Sequence, residues 1–274
     1  MAELLEDIIS LPVDLVESFH RDGYAILENV LSEAEIANFE DTFNSFLHDQ
    51  VAGMGRDFCD MSGPYDRAFR DFALVNAMLP RVYAPELAGN VFECRALAIA
   101  RRLIGDDATL DYDQFLTKRP GKADAAFAWH QDLGYWPTGT PDTKTVTLSL
   151  ALDDADAENG CLQVVPGTHR EESLREHRPV QISDVGLRDG GHTLSIDLRA
   201  DDRVEFLPVR RGSLTLHDER IVHGSAGNTS NRLRRTYVIA FRSLATVEYE
   251  RSIGFTHSHN DAIHWQTHLE GLAR

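Results

Sequence analysis

The fold is decided by the stretch Thr145-Val146-Thr147-Leu148-Ser149-Leu150-Ala151-Leu152, in which apolar and polar or small residues alternate. A period of two predicts a β-strand with one face in the core and the other face turned away from it. The core-facing residues are expected to be Val146, Leu148, Leu150 and Leu152, and the opposite face to carry Thr145, Thr147 and Ser149. The strand is therefore predicted to form part of a half-buried sheet.

Short strands are predicted on both sides of this stretch. Upstream they are expected at 111–118 and 127–132, and downstream at 161–165, 212–216, 221–223 and 235–244. Glycine and proline turns separate them, and the strands lack the regular spacing of β-α-β units. This pattern is typical of an antiparallel jelly roll or barrel.

The first hundred residues are predicted to be mainly helical. Ser32 and Glu35 form a capping-box pattern before a helix with aromatic residues at spacings of three and four. A second helix is expected at 88–104, with Val91, Cys94, Leu97, Ala98 and Leu103 facing inward. Residues 51–86 lack a period and are expected to be an irregular surface connection or a lid over a site.

These patterns together predict one α+β domain over residues 1–274. We expect a helical part to about residue 108, a β-core over about 109–245 and a C-terminal extension at 246–274. The core is long enough to bury a substantial apolar interior.

The bulk composition excludes several classes of function. The formal net charge of −17 and the pI near 5.0 argue against binding of nucleic acid or an anionic membrane. The three cysteines are too few and too far apart for a disulfide framework or a structural zinc site. The acidic N-terminus resembles neither a signal peptide nor a membrane span, so a cytoplasmic location is expected. The sequence makes no prediction about oligomeric state.

The predicted strand 127–132 contains Trp129-His130-Gln131-Asp132. On an extended strand His130 and Asp132 point to the same side, and His223, far downstream, can complete a set of three ligands. Two histidines and one carboxylate with open positions opposite them are the ligand set of non-haem Fe(II) oxygenases. Zinc accepts the same ligands, and a His-Xaa-Asp spacing alone is common.

A basic residue, Arg234, follows His223 after a short turn. Arg234 stands at the start of a predicted strand, where its guanidinium could hold a carboxylate through two hydrogen bonds. An Fe(II) oxygenase needs an external electron source, and 2-oxoglutarate has a far carboxylate that requires such a partner. Ser225 and Thr147 offer hydroxyl contacts to it. Arg232 and Arg235 are expected to be solvated surface charges.

Several motifs together resemble the phytanoyl-CoA dioxygenase family of Fe(II)/2-oxoglutarate-dependent oxygenases. The motifs are FLTKRPG (115–121), WHQD (129–132), NGCLQVVPGTH (159–169) and the stretch from His223-Gly224-Ser225 to Arg234-Arg235. The resemblance implies a double-stranded β-helix with a jelly-roll, cupin-like core. It also implies iron on His130, Asp132 and His223, 2-oxoglutarate on Arg234 with contacts from Ser225 and Gln114, and Lys118 near the pocket. His169 is then a structural residue and no ligand.

Such an enzyme is expected to use Fe(II), 2-oxoglutarate and O2 to hydroxylate an unactivated C–H bond of a small, amphipathic metabolite, releasing succinate and CO2. The same cofactors can also desaturate, epimerise or close rings. Asp132 disfavours halogenation, because halogenating relatives have a small residue there. The stretch 133–137 differs from the acidic motif of the ectoine hydroxylases, which argues against that substrate. An alternative of another class is a metal-binding β-barrel without oxygenase activity, acting as a zinc hydrolase or ligand-binding module.

Other polar and aromatic residues leave two interpretations open. Tyr135 and Trp136 line a substrate pocket or pack in the core, and His217 supports the metal ligands or is merely buried. The polar cluster His257, His259, Asp261 and His264 is interpreted as surface residues. Substrate specificity is expected to depend on residues 51–86, the loop after Asp132 and residues 170–205.

Overall fold

The N-terminal part of the chain supplies helices that cover a large sheet. The computed structural model describes residues 14–180 and 193–263. Its first helices are α1 (Leu15–Asp22), α2 (Glu33–Leu47), α3 (Pro80–Tyr83) and α4 (Val91–Ile104). The predicted capping box is present at the start of α2: the Ser32 backbone N–H donates to the Glu35 carboxylate at 2.9 Å, and Glu35 N–H donates to the Ser32 hydroxyl at 3.4 Å.

The strands form two main sheets, in which every neighbouring pair is antiparallel. The larger sheet has the order β1-β11-β6-β13-β4-β3-β2, and the smaller sheet has the order β10-β7-β12-β5. The strands of the larger sheet are β1 (Tyr24–Leu27), β2 (Phe58–Asp60), β3 (Leu74–Met78), β4 (Ala108–Lys118), β6 (Thr145–Ala151), β11 (Leu214–His217) and β13 (Arg234–Ser243). Those of the smaller sheet are β5 (Phe127–His130), β7 (Leu162–Val165), β10 (Glu205–Leu207) and β12 (Val222–Ser225). A separate hairpin pairs β8 (Arg178–Pro179) with β9 (Leu194–Ser195). The predicted α+β jelly roll is confirmed.

The alternation in β6 sorts the two faces of the larger sheet as predicted. Val146, Leu148 and Leu150 are fully buried in the core that α2 and α4 cover. Aromatic side chains fill this core; the rings of Phe43 and Phe115, for example, have centroids 4.3 Å apart. The other face of β6 lines a cavity through Thr147 and Ser149. The site therefore lies on the side of the sheet opposite the helices.

Two expectations for the N-terminal half are only partly correct. Residues 51–86 are not wholly irregular, because β2 and β3 lie within them and extend the edge of the larger sheet. In α4, Leu103 is buried and Val91 and Leu97 pack against the core as predicted, but Cys94 is exposed. Residues that were not predicted to face inward are also buried: Phe92, Ala96 and Ile99. The helix carries apolar residues around most of its circumference, so periodicity alone could not select the face that meets the sheet.

The chain after β13 folds back over the opening of the cavity. Helix α5 (Leu244–Ser252) begins with a cap from Ser243, whose hydroxyl accepts from Thr246 N–H at 3.2 Å. Residues 253–263 then return to the cavity wall. In the described part of the chain, no helix is long and apolar enough to cross a bilayer. The three cysteines form no disulfide.

Candidate active site

Two paired strands bring the ligand histidines together. His223 on β12 lies directly opposite His130 on β5, and the centroids of their rings are 4.2 Å apart. The predicted ligand strand is two residues too long, because β5 ends at His130 and Asp132 begins a 3-10 turn that reaches Tyr135. The turn still directs Asp132 Oδ1 to 3.2 Å from His130 Nε2 and 3.5 Å from His223 Nε2.

Backbone carbonyl groups orient both imidazole rings. His130 Nδ1 lies 2.7 Å from the Ala128 carbonyl oxygen, and His223 Nδ1 lies 3.0 Å from the Ile221 carbonyl oxygen. Because Nδ1–H donates to a carbonyl in each case, the lone pair of Nε2 remains available to a metal. The two Nε2 atoms and the Asp132 carboxylate converge on one point.

The three side chains fit a divalent metal ion. Their ligand atoms all lie within 4.8 Å of one another, and all three residues are buried. Adjacent ligand atoms on an octahedral metal with bonds of about 2.1 Å are separated by roughly 3 Å, close to the distances between these side chains. Burial and the neighbouring His223 lower the pKa of His130, which favours the neutral, metal-binding form. Burial works against ionisation of Asp132, but His223 and the hydrogen bonds from the histidines hold its pKa well below the usual range.

Residues behind the ligands form a polar network. His217 Nε2 lies 3.2 Å from Asp132 Oδ2, so of the two interpretations of this histidine the supporting one agrees with the geometry. Glu219 is fully buried, and burial raises its pKa to about 8. Its carboxyl group accepts hydrogen bonds from Trp136 Nε1 at 3.1 Å and from the Thr147 hydroxyl at 3.3 Å. Thr147 thus lines the cavity while its hydroxyl is engaged away from it.

Arg234 is the first residue of β13 and lines the same cavity as the three ligands. Its Nε atom is buried and has no hydrogen-bond partner, and within the described residues its guanidinium forms no ion pair. Burial lowers its pKa to about 10, which leaves the side chain charged at neutral pH. Arg234 is half-buried, and a cation partly withdrawn from water without a counter-ion is unfavourable, so this position fits the carboxylate of a bound anion.

The other predicted cofactor contacts line the same cavity as Arg234. Ser225 and Gln114 line the cavity, and Gln114 Nε2 donates to Asn76 Oδ1 at 2.6 Å. Lys118 is fully buried behind the wall rather than in it: its ammonium donates to Ser225 Oγ at 2.7 Å and to the Ala226 carbonyl. Burial and the nearby Arg234 lower the pKa of Lys118 well below its ordinary value. Lys118 therefore orients Ser225.

Tyr135 and Trp136 line the cavity, so the pocket interpretation agrees with their position.

The prediction that His257 is a surface residue is wrong. It is buried, lines the cavity and has Nε2 2.7 Å from Asp111 Oδ2 and 3.3 Å from Glu250 Oε2. These three residues also form a cluster of potential metal ligands. Arg242, however, lies 3.1 Å from Asp111 and 2.6 Å from Glu250 and occupies the carboxylates as their counter-ion.

The remaining predictions, for two arginines and two histidines, agree with the structure only in part. Arg232 is exposed and pairs with Asp156, as expected of a surface charge. Arg235 is only partly exposed, because its guanidinium pairs with Asp153 at 2.7 Å and Glu40 at 2.8 Å. His169 is no ligand; its Nε2 lies 3.0 Å from the His20 carbonyl oxygen. His264 lies outside the described residues.

Sequence reasoning missed the residues that enclose the outer part of the cavity. They are Arg56, Met61, Tyr65 and Met78 from the segment 51–86, and Phe255, Ser258 and His259 from the C-terminal segment. The two segments are joined by Asp57, which accepts from the Ser258 hydroxyl at 2.8 Å and from His259 N–H at 2.6 Å. No periodic pattern marks these residues. The lid expected from residues 51–86 agrees with four of these positions, but no pattern marked which residues of that segment face the cavity.

A jelly roll that holds two histidines and one carboxylate in an apolar cavity, beside a half-buried arginine, is typical of non-haem metal oxygenases. Residues 19–236 match the phytanoyl-CoA dioxygenase (PhyH) family, and the chain belongs to that family. The predicted family and the predicted enzyme class, a dioxygenase, are confirmed. The predicted cofactors, iron, 2-oxoglutarate and dioxygen, are confirmed as those of the family.

The chain is similar to individual relatives over most of its length. It is 26% identical over 246 residues to an ectoine dioxygenase of Bordetella bronchiseptica, covering 86% of this chain and 76% of the relative. EvdO2 from Micromonospora carbonacea var. aurantiaca, solved in complex with 2-oxoglutarate, aligns with a TM-score of 0.66 and 26% identity over 86% of this chain and 92% of EvdO2. EctD from S. alaskensis, solved with bound Fe, shares the fold at a TM-score of 0.65 and 20% identity, over 86% of this chain and 78% of EctD.

Proposed function

We propose that the protein is an Fe(II)/2-oxoglutarate-dependent hydroxylase of a small metabolite, with iron on His130, Asp132 and His223. The single observation that carries this assignment is Arg234, a half-buried arginine in the ligand cavity whose Nε atom is buried and which has no ion-pair partner among the described residues. Neither metal hydrolysis nor simple metal binding requires such a cation. The far carboxylate of 2-oxoglutarate would supply its counter-ion.

Neighbouring side chains complete the proposed cosubstrate site. Ser225 offers a hydroxyl that Lys118 holds in place, and Gln114 is held by Asn76. Thr147 contributes to the wall, although its hydroxyl donates to Glu219. When bound, iron and 2-oxoglutarate supply the oxidising power that replaces a substrate C–H bond by C–OH, as 2-oxoglutarate and O2 yield succinate and CO2.

The protein's own contribution is placement of the substrate and exclusion of water. Apolar side chains from several elements surround the triad, among them Met78, Tyr112, Leu116, Phe127 and Trp136. Such walls favour an apolar substrate body and keep bulk water away from the reacting C–H bond. Asp132 supplies a carboxylate at the position where halogenating relatives have a small residue that leaves room for chloride. Halogenation is therefore disfavoured. Membership in a dioxygenase family sets aside a zinc hydrolase or a passive binding module.

The reaction is tested with iron-loaded protein, 2-oxoglutarate and ¹⁸O2, incubated with a panel of small amphipathic metabolites. Hydroxylation predicts substrate-dependent succinate formation and a product heavier by one labelled oxygen atom. A product lacking two hydrogens, or one of unchanged mass, would instead assign desaturation or epimerisation to the same site. If 2-oxoglutarate is not converted to succinate with any substrate, the proposed function is wrong.

A further inference from the structure

Arg56 stands at the outer end of the cavity that contains the metal ligands. It belongs to a short 3-10 turn, Gly55–Asp57, and its side chain is exposed where the cavity meets an adjoining surface depression. The guanidinium lies over the ring of Tyr65, 5.0 Å from the centroid. Among the residues that the structure describes, Arg56 has no ion-pair partner.

The backbone beneath Arg56 is firmly held. Its N–H donates to Asn260 Oδ1 at 3.0 Å, and the Asn260 amide donates to the Met54 carbonyl at 2.9 Å. Asp57, the next residue, is buried and binds Ser258 and His259. The cation is therefore presented from a fixed position rather than from a loose loop, which favours its use in recognition.

The charges around the cavity point to a ligand with one negative charge. Apart from histidines, the formally charged side chains in its described wall are Arg56, Arg234 and Asp132. Under the proposed function, Fe(II) and the 2-oxoglutarate dianion neutralise each other, and Arg234 and Asp132 do the same. One positive charge, that of Arg56, remains in this wall; the adjoining depression contains Asp66 and Asp261, and within the described residues neither forms an ion pair with Arg56. This local excess occurs on a chain whose formal net charge is −17.

We propose that Arg56 recognises the carboxylate of the substrate, so that the substrate class is an apolar or aromatic monocarboxylate. This inference rests on the proposed function and adds the substrate class to it. The carboxylate pairs with the guanidinium at the rim, and the apolar body extends inward along Tyr65, Met61 and Phe255 toward the triad. A phosphate monoester carries more charge than the single excess cation matches, and so is disfavoured.

The test measures anaerobic binding to the Fe(II)- and 2-oxoglutarate-loaded enzyme. The probes are aryl-alkyl carboxylates of several chain lengths, each compared with its carboxamide, its amine and its phosphate monoester. The variant is Arg56→Gln, with Arg70→Gln as the matched control, because Arg70 lies in the same segment and its side chain is 85% exposed. Binding of 2-oxoglutarate is measured separately in each variant.

We expect at least one carboxylate to bind about tenfold more tightly than its carboxamide and its phosphate ester. Arg56→Gln should abolish this preference without changing 2-oxoglutarate binding, and Arg70→Gln should preserve it. Equal binding of carboxylate and carboxamide, a preference that survives in Arg56→Gln, or binding of no carboxylate would overturn the inference. If the wild-type enzyme does not bind 2-oxoglutarate, the proposed function itself is wrong. This outcome is distinguishable from failure of the Arg56 inference, because 2-oxoglutarate binding is measured separately.

Discussion

His217 Nε2 lies 3.2 Å from Asp132 Oδ2, whereas Asp132 Oδ1 faces the two ligand histidines. The carboxylate thus has one oxygen directed to the ligand cluster and the other fixed by a neighbour on the opposite sheet. The contact joins β11 of the larger sheet to the turn after β5 of the smaller sheet. It explains how Asp132 keeps its direction although the strand ends before it.

Replacing His217 by Phe is expected to lower iron affinity by about 10- to 100-fold, because the carboxylate loses the partner that orients it. The measurement is anaerobic titration of the apoprotein with Fe(II). His48→Asn serves as the control, since His48 is exposed and caps the C-terminal end of α2. Unchanged iron affinity in a folded His217→Phe protein would show that the contact has no role in orienting Asp132.

Arg242 is expected to be essential for stability. It is fully buried and pairs with Asp111, Glu219 and Glu250 at 3.1, 2.5 and 2.6 Å. Arg242→Met would leave these buried carboxyl groups without their main cation, and we expect the free energy of unfolding to fall by about 3–5 kcal/mol.

The measurement for Arg242→Met is urea unfolding at neutral pH. Arg178→Met is the control, because this arginine is 63% exposed and its ion pairs are solvated; its expected change is within about 0.5 kcal/mol. A loss below about 1 kcal/mol for Arg242→Met would contradict the interpretation that this cluster depends on its guanidinium.

Asp113 gives a prediction about pH. This residue of β4 is fully buried with Oδ1 unpartnered, and burial raises its pKa from 3.8 to about 7. The folded protein therefore keeps a proton that the unfolded chain loses between roughly pH 4 and 7. The stabilisation is complete below pH 4 and disappears as the pH rises to 7, by up to about 1.4 kcal/mol per pH unit.

Asp113→Asn places a neutral side chain of the same shape at this position and should remove that part of the pH dependence. Urea unfolding of both proteins at pH 5 and pH 7 gives the comparison. The wild type should lose more stability than Asp113→Asn between the two values. Parallel changes in the two proteins would mean that Asp113 is already ionised at pH 5.

The sequence predicted the parts of the fold that depend on local patterns. The period of two in β6 and the capping box at Ser32 each determined their element, since strand alternation and helix capping are properties of short segments. The three proposed ligands could also be selected from the sequence, because His130 and Asp132 share the compact motif WHQD and the distal His223 stands in the short motif His223-Gly224-Ser225. The end of β5 at His130 could not be predicted, since it depends on contacts between the two sheets.

The outer wall of the cavity could not be predicted for a related reason. Arg56 and His257 lie about 200 residues apart, and a segment without periodicity carries each of them. Their meeting depends on side-chain contacts such as those of Asp57 with Ser258 and His259. A histidine in a polar stretch is also predicted to be exposed, whereas burial of His257 depends on the distant Asp111.

The central claim is that the triad and Arg234 form one site for iron and 2-oxoglutarate. The most direct measurement is anaerobic titration of the Fe(II)-loaded protein with 2-oxoglutarate, recorded as the weak visible charge-transfer band of the chelate. We predict a band in the wild type, no band in His223→Ala, and a band in Arg234→Ala that needs at least about tenfold more 2-oxoglutarate. Arg232→Ala, an exposed control, should titrate as the wild type does. A wild-type protein that binds iron but develops no band at saturating 2-oxoglutarate would contradict the account.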